Sequence, residues 1–526
     1  RAFPFEPAET FSTEQPDAER MNYRQLRSFI DELRASGFNV VPYTVALQRK
    51  LSFPFVTLIM TLIAVPFAVT TGRRGALYGI GVGIVLAIVY WLLFSVFAAI
   101  GSGGAIAPAP PSAVDALVGV GDRPMTRLDA NIASLQSTLR GGDARAAVPA
   151  ETMLAQAYLQ KVRETGDPSY YPKAETLFQQ GLNANPDNVD ALVGLGTLAL
   201  ARHQFADALT WGERALAAEP SSVAAYGVVG DAQIELGRYD EAVTTIQAMV
   251  DHRPDQRSFA RVSYLRELMG DRDGAIAAME EAVAAGSSYA ENIAWVQVQL
   301  GNLRFDGGDL AGADHDYAAA LAAMPGYASA LAGQAKVAAA EGSLDRAADL
   351  YGQAVRAIPL PEFLIAYGDV LNALGRTDEA KTQFALVTAI QQLYAASGVD
   401  TDLELALFTA DYGDPQDLPR AIAQAEKAVA TRKSVVAYDA LSWVLYRGGD
   451  LDGAAAASEQ ALRLGTRSAL MDFHAGMIAA ARGERGRAIT LLSSALDLNP
   501  HFSIRYAPEA RQTLEQLTAT GQEERS

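Results

Sequence analysis

The chain has 526 residues and half of them are apolar, so it is too long for one hydrophobic core and too apolar to be disordered throughout. Its formal net charge of −18 argues against nucleic acid as a partner, because phosphate binding needs clustered Lys and Arg side chains. The sequence contains no Cys, which excludes thiol catalysis, zinc–cysteine sites and iron–sulfur clusters. Since the chain begins at Arg1, we expect its natural N-terminus to lie upstream.

Two uncharged, apolar stretches predict a pair of transmembrane helices at residues 51–71 and 76–100, within a membrane segment of residues 46–104. At 1.5 Å per residue the first stretch spans roughly 31 Å, the thickness of the hydrocarbon core of a bilayer. The turn between the stretches is short and predicts a helical hairpin. A buried hairpin of a soluble protein is the alternative, which the length of both stretches disfavours.

Particular residues of this segment predict its helix packing. Pro66 should bend the first helix, because its ring removes one helix hydrogen bond. Three glycines recur every fourth residue and predict a flat stripe for close helix contact. The turn carries two Arg, and three basic residues precede the first helix, so charge counting leaves the orientation open. The residues predicted to set topology and packing are Pro54, Pro66, Arg73, Arg74, Gly75, Gly79 and Gly83.

The remainder of the chain predicts a helical array. A Pro-rich linker is expected at residues 105–122, then a leading amphipathic helix within residues 123–149. About ten repeats follow at residues 150–505, and a capping helix with a polar tail at residues 506–526.

Proline positions reveal the repeat length. Pro186, Pro220 and Pro254 are 34 residues apart, as are Pro325 and Pro359. Small residues recur where the two helices of a unit would cross, and Gly recurs where a helix would end. The residues predicted to have this structural role are Leu195, Gly196, Ala208, Ala215, Pro220, Gly230, Ala242, Pro254, Gly301, Ala313, Ala320, Pro325, Ala347, Ala354 and Pro359.

This pattern resembles the tetratricopeptide-repeat (TPR) family from about residue 151 to residue 500. The resemblance implies an all-α fold, a superhelix of helix-turn-helix units in which each unit buries its apolar face against its neighbours. It also implies that a protein or peptide partner lies on the concave surface. Two stretches depart from the template, because residues 254–325 contain insertions and residues 391–418 fit it poorly.

The first hundred residues carry a second resemblance, to the C-terminal half of the LptF/LptG (YjgP/YjgQ) lipopolysaccharide-export permeases. The matching stretches are Met21–Leu26, Arg49–Pro54, Ala64–Ala68, Gly72–Gly75, Tyr78–Ile80, Tyr90 and Gly101–Pro108. The resemblance covers about residues 1–108 and implies that residues 1–45 are the end of a periplasmic domain with its connecting helix. The last transmembrane helix of the family should follow Pro108, but repeats follow instead.

Further implications come from this resemblance alone. The Arg73–Arg74 turn would face the cytoplasm, and the repeats would be periplasmic, at the inner membrane of a Gram-negative-type bacterium. An ABC-transporter ATPase and a second permease subunit would be partners, together with the lipid bilayer.

The sequence offers no constellation for catalysis. Its five His lack metal-ligand spacing, and no nucleophile elbow, Walker loop or His-Glu-x-x-His motif stands out. Trp211, Trp295 and Trp443 recur inside predicted helices, where packing between repeats explains them best. We therefore expect no enzyme, metal or cofactor.

Two functions fit these observations. The first is a membrane-anchored TPR scaffold that mediates protein–protein interactions, with a permease-like membrane segment. The alternative is a subunit of a lipopolysaccharide-export ABC transporter that carries an appended TPR domain.

Overall fold

The computed structural model describes residues 126–141 and 144–523, with the side chains of residues 126–141 and 149–519, and every regular element in these ranges is a helix. The predicted transmembrane pair, the linker and the seven residues predicted to set membrane topology lie outside the described residues. Within those ranges, no helix combines the length and apolar character needed to cross a bilayer.

The described residues from Leu135 onward belong to one compact unit, built from consecutive antiparallel helix pairs. Helix α1 (Arg127–Arg140) precedes the pairs, and α22 (Tyr506–Glu523) follows them. Repeats 1 to 10 are the pairs α2 (Ala144–Thr165) and α3 (Tyr170–Ala184), α4 (Val189–Ala201) and α5 (Phe205–Ala218), α6 (Val223–Glu235) and α7 (Tyr239–His252), α8 (Gln256–Leu268) and α9 (Arg272–Ala285), α10 (Ala290–Asp306) and α11 (Leu310–Ala323), α12 (Ala328–Ala340) and α13 (Leu344–Ala357), α14 (Pro361–Ala373) and α15 (Thr377–Ala396), α16 (Asp402–Tyr412) and α17 (Leu418–Thr431), α18 (Val435–Gly448) and α19 (Leu451–Ala461), and α20 (Ala469–Ala481) and α21 (Arg485–Leu498).

A left-handed residue separates the two helices of most repeats, and we call it the turn residue. It is a positive-φ glycine in repeats 1, 3, 4, 5, 6, 7, 9 and 10, for example Gly270 and Gly308. Only glycine adopts this conformation without steric cost, so the chain can reverse sharply there. In repeats 4 and 5 the next residue, Asp271 or Asp309, caps the second helix by accepting a hydrogen bond from the backbone N–H of Gly274 or Gly312.

Repeat 2 differs at this turn, because His203 occupies the glycine position with φ of 59°. A side chain in the left-handed region costs about 1–2 kcal/mol, so another interaction must offset the strain. The His203 ring provides it, since its Nδ1 lies 2.7 Å from the carbonyl oxygen of Asp400 and its plane stacks on Phe205.

The first helices of the repeats form the inner face of the array. First helices of most consecutive repeats pack against each other, whereas no comparable contact joins consecutive second helices among the described residues. Elements on the inside of a curved array lie closer together than those on the outside. The first helices therefore line the concave side, and the second helices face outward.

Repeats 5 and 6 show how neighbouring units share one core. The ring of Tyr317 is fully buried between two glycines, and its hydroxyl donates a 2.8 Å hydrogen bond to Asn302. A Cβ on Gly301 would lie 2.7 Å from the ring, and one on Gly333, in the next repeat, would lie even closer to it. Both glycines leave the room that the ring occupies, so this contact ties the two repeats together.

The two stretches that depart from the repeat pattern differ in length from the other units. Helix α10, inside residues 254–325, has 17 residues, where most first helices have 13 or 14. Helix α15 runs to 20 residues, α16 has 11, and a short 3-10 turn at Pro415–Asp417 leads into α17. The departures are therefore changes in helix and turn length within an unbroken array.

Candidate functional site: the inner face of the first helices

The residues predicted to carry the repeat pattern lie at helix crossings and turns. The alanines among them that are fully buried are Ala208, Ala215, Ala242, Ala313, Ala320, Ala347 and Ala354. Leu195 is also buried, and Pro220, Pro254, Pro325 and Pro359 stand in the connections between repeats. These residues build the scaffold, so a binding site must be found elsewhere.

Large apolar side chains exposed to solvent mark the inner face. Met153, Trp295, Val436 and Leu470 each lie thirteen residues before the turn glycine of their own repeat, which places them at the same position of the first helix. Their exposed fractions are between 39% and 41%. A recurrent apolar position that stays exposed on a concave surface is typical of a protein-binding site.

A fifth apolar residue, Tyr264, lies on the inner face of repeat 4 and exposes 37% of its surface. Burial nevertheless raises its pKa, as it does for Asp306 and Glu362, two carboxylates that are also accessible to solvent. Accessible groups that still lose hydration must lie in a confined space. The inner face is therefore wet but largely enclosed by the protein.

The carboxylates of this face titrate unusually. Burial, with a smaller contribution from the charge of Asp306, raises the pKa of Glu267 to about 7, against the opposing effect of Arg272. Burial likewise raises the pKa of Asp369 to about 6, although a hydrogen bond from Tyr412 lowers it. A cation placed beside such carboxylates would stabilise their ionised form.

Glu267 should therefore make stability depend on pH. Its folded pKa lies above the unfolded value near 4.5, so the native state holds the extra proton between pH 4.5 and about 7. The free energy of unfolding then falls as pH rises through that window. We expect Glu267→Gln to match the parent at pH 4.5 and to exceed it by about 1–2 kcal/mol at pH 8, in urea titrations at each pH.

A surface carboxylate is the control for this prediction. A hydrogen bond from Arg376 lowers the pKa of Glu379. At neutral pH, Glu379→Gln should therefore be less stable to unfolding than the parent, the opposite of Glu267→Gln. Parallel profiles for Glu267→Gln and the parent across the whole range would contradict the account.

A polar and aromatic network covers the inner face near the C-terminal end. Asp411 accepts hydrogen bonds from the indole N–H of Trp443 at 2.9 Å, from Arg447 at 2.8 Å and from the Tyr506 hydroxyl at 2.5 Å. The guanidinium of Arg505 lies over the Tyr412 ring. The network therefore ties α22 to repeats 8 and 9.

The histidines form no recognisable catalytic or metal centre in the described ranges. His474 is buried, its Nδ1 lies 3.0 Å from a carboxylate oxygen of Asp439, and its ring stacks on Trp443. Its Nε2 has no hydrogen-bond partner, and no Ser or Thr hydroxyl completes a triad with the pair among the described residues. No group of three or more potential metal ligands occurs among the described residues.

The interpretation of Trp295 as a packing residue is wrong, whereas Trp443 is buried as expected. Trp295 exposes 41% of its surface on the inner face. The thirteen-residue spacing to the turn glycine, shared with Leu470 and Val436, is a sequence signal that would have placed it there.

Family comparisons divide the chain in two. The family of lipopolysaccharide export system permeases LptF/LptG matches residues 3–118. Tetratricopeptide-repeat models match residues 199–266 and residues 170–223, 298–360 and 440–501. The permease match begins within two residues of the expected start and ends at residue 118 instead of 108, so it includes most of the predicted linker.

Solved structures with a similar fold are TPR proteins. A thermophilic TPR protein from Thermus thermophilus, TTC0263, is 24% identical, with a TM-score of 0.29 over 32% of this chain and 92% of that chain. Yeast Tom70 is 14% identical, with a TM-score of 0.31 over 76% and 96% of the two chains. YrrB, described as a TPR protein with an unusual peptide-binding site, is 18% identical, with a TM-score of 0.26 over 38% and 97%.

No curated protein matches the sequence. Because the TM-scores are below 0.5, the repeat assignment rests on the family models and on the helix pairs described above. The chain thus carries a segment of the LptF/LptG permease family at its N-terminal end, followed by tetratricopeptide repeats.

Proposed function

We propose that this protein is a membrane-anchored scaffold that binds a protein segment on the inner face of its tetratricopeptide array. The permease-like segment holds the array at the inner membrane, and the array recruits partners on the periplasmic side. No catalytic step is part of this function.

The observation that carries the proposal is the set of exposed apolar side chains on the first helices. Trp295, Leu470 and Val436 occupy the same helix position in three repeats, so one extended partner could contact several of them in turn. Because about 40% of each side chain remains exposed, its burial by a partner would contribute about 0.6–1.2 kcal/mol. Tetratricopeptide repeats in general support this kind of assembly.

Anchoring rests on different evidence. The LptF/LptG match covers both apolar stretches predicted to cross the membrane, and the repeats begin beyond it. In the permease resemblance the Arg73–Arg74 turn is cytoplasmic, which would place the chain after residue 100 on the periplasmic side.

The permease match favours a second candidate, a subunit of a lipopolysaccharide-export ABC transporter with an appended repeat domain. This function needs an ATPase and a second permease subunit, whereas a scaffold needs neither. Stable co-purification of an ATPase with the native protein, lost on replacing Arg73 and Arg74 by Ala, would favour the transporter.

Site-specific photo-crosslinking in cells tests the scaffold function. We expect p-benzoylphenylalanine in place of Trp295 or Leu470 to give discrete higher-mass adducts, identified by mass spectrometry, because both side chains are exposed on the inner face. Matched controls replace Thr210 and Thr490, which are exposed on second helices at the outer face. Adducts at neither inner position, or equal adducts at inner and outer positions, would contradict the proposal.

A further inference from the structure

Contacts between residues almost two hundred positions apart run along the array. The carbonyl of Arg202 accepts a 3.0 Å hydrogen bond from the backbone N–H of Asp400. Glu235 pairs with Arg432 at 2.8 Å. These two residues are 197 positions apart in the sequence, almost the same separation as in the previous contact. Repeats 2 and 3 thus meet the connections that precede repeats 8 and 9.

The same spacing continues through the next two repeats. The hydroxyl of Thr466 donates to the carbonyl of Leu268, 198 residues earlier. The side-chain amide of Asn499 donates a 2.8 Å hydrogen bond to the carbonyl of Phe305, 194 residues earlier, and Asn499 is fully buried. These carbonyls lie at the C-terminal ends of first helices, where the regular helical hydrogen bonds run out, and the later part of the chain donates hydrogen bonds to them. The carbonyl of Phe305 also accepts a 2.8 Å hydrogen bond from the backbone N–H of Gly308.

At the start of the array, repeat 1 makes a similar contact. The carbonyl of its turn glycine, Gly166, accepts a 3.1 Å hydrogen bond from the Tyr394 hydroxyl, and a Cβ on Gly166 would touch Ile358, just before repeat 7. Five successive turns, in repeats 1 to 5, therefore meet the chain six repeats later.

The turn glycines distinguish repeats that make this contact from repeats that do not. A Cβ on Gly237 would lie 2.5 Å from the carbonyl oxygen of Lys433, and one on Gly270 would lie even closer to that of Gly465. A Cβ on Gly342 or Gly375, with the same left-handed backbone, would meet nothing within 4 Å. No repeat six units beyond those two lies among the residues that the structure describes.

We propose that these contacts form a seam that joins successive superhelical turns, with six repeats per turn, and that the closed seam limits the inner face to an extended polypeptide. A folded domain would need the seam to open. The closed seam follows from contacts within the chain and requires no partner. The inference that an extended polypeptide binds inside it rests on the proposed function.

Solvation of the inner face supports this closure. Tyr264 and Asp306 are accessible to water but have raised pKa values through loss of solvent, as expected for groups inside a narrow passage. An open spiral with a wide groove would leave such groups more hydrated and their pKa values closer to the ordinary ones.

The distance across the seam tests the closure on the full chain in detergent micelles. The chain contains no Cys, so Arg238→Cys and Lys433→Cys, both exposed positions beside the seam, can carry two spin labels without background. We expect one short, narrow distance distribution in pulsed electron resonance. A long or broad distribution in this labelled parent would overturn the proposal.

Matched glycine variants separate the seam from backbone strain. Gly237→Ala with Gly270→Ala should lengthen and broaden the distance, because both new methyl groups collide with the opposite turn. Gly342→Ala with Gly375→Ala bears the same left-handed strain in open space and should leave the distance unchanged. Equal distributions in the two double variants would also overturn the proposal.

Access to the inner face gives a second readout, independent of any partner. A single Cys in place of Trp295 should react readily with the small reagent N-ethylmaleimide. With a 5-kDa maleimide polymer, its reaction should be at least tenfold slower than that of a Cys in place of Thr210, after correction for intrinsic reactivity. The seam double variant should raise the polymer rate severalfold. Equal polymer rates at positions 295 and 210 would refute the restricted access, even if photo-crosslinking supports partner binding.

Discussion

Replacing Tyr317 by Ala is expected to lower the free energy of unfolding of the central repeats by about 3–5 kcal/mol. The ring is fully buried, and glycines on two helices leave space that no other side chain can fill. Because each repeat is stabilised by its neighbours, the cavity should weaken the junction between repeats 5 and 6. Hydrogen exchange measured by mass spectrometry should show faster exchange across α10 to α13.

Tyr317→Phe is the matched control. It keeps the ring and removes only the hydroxyl that donates to Asn302, so a loss of about 1 kcal/mol is expected. Similar exchange in the Ala and Phe variants, or protection lost evenly along the array, would contradict the account of a local junction.

Removing the carboxylate of Asp411 is the second change with a large expected effect. Asp411→Ala leaves the Trp443 indole N–H and the Arg447 guanidinium without their acceptor, and the Tyr506 hydroxyl loses its 2.5 Å contact. Donors left without an acceptor in a mostly buried site should lower the free energy of unfolding by about 2–4 kcal/mol. We expect α22 to detach first, seen as early proteolysis near residue 506 and a lower urea midpoint.

Asp411→Asn separates charge from hydrogen bonding at this site. The amide oxygen can still accept from Trp443, so roughly half of the loss should remain. A full loss in the Asn variant would assign the effect to charge alone, and a native midpoint for the Ala variant would show that the network does not hold the cap.

The repeat architecture could be predicted because it depends on local chemistry. A 34-residue proline period sets the length of a unit, and the Leu-Gly turns at Gly237 and Gly375 match glycines with positive φ. Buried alanines such as Ala208 and Ala313 follow from the close crossing of paired helices.

The seam could not be predicted from the same pattern. A repeat period gives the length of each unit but not the small rotation between units, and six such rotations decide whether Arg432 reaches Glu235. His203 shows the same limit, because a non-glycine turn residue is explained only by the Asp400 carbonyl 197 residues away.

The inner face was only partly predictable. The concave surface follows from the family resemblance, but the sequence favours a packing role for Trp295, since indoles are more often buried. Raised pKa values at Glu267 and Asp369 depend on enclosure by distant repeats, which no local sequence pattern contains.

A cleavable linker tests the central claim, that a membrane segment holds the repeat array on the periplasmic side. A specific protease site would be inserted between residues 107 and 111 of the chromosomal protein, and the purified protease added outside intact spheroplasts. The account predicts that the array remains with the membrane before cleavage and appears in the supernatant afterwards. Release only after membrane lysis would contradict the periplasmic placement, and a soluble array before cleavage would contradict the anchor.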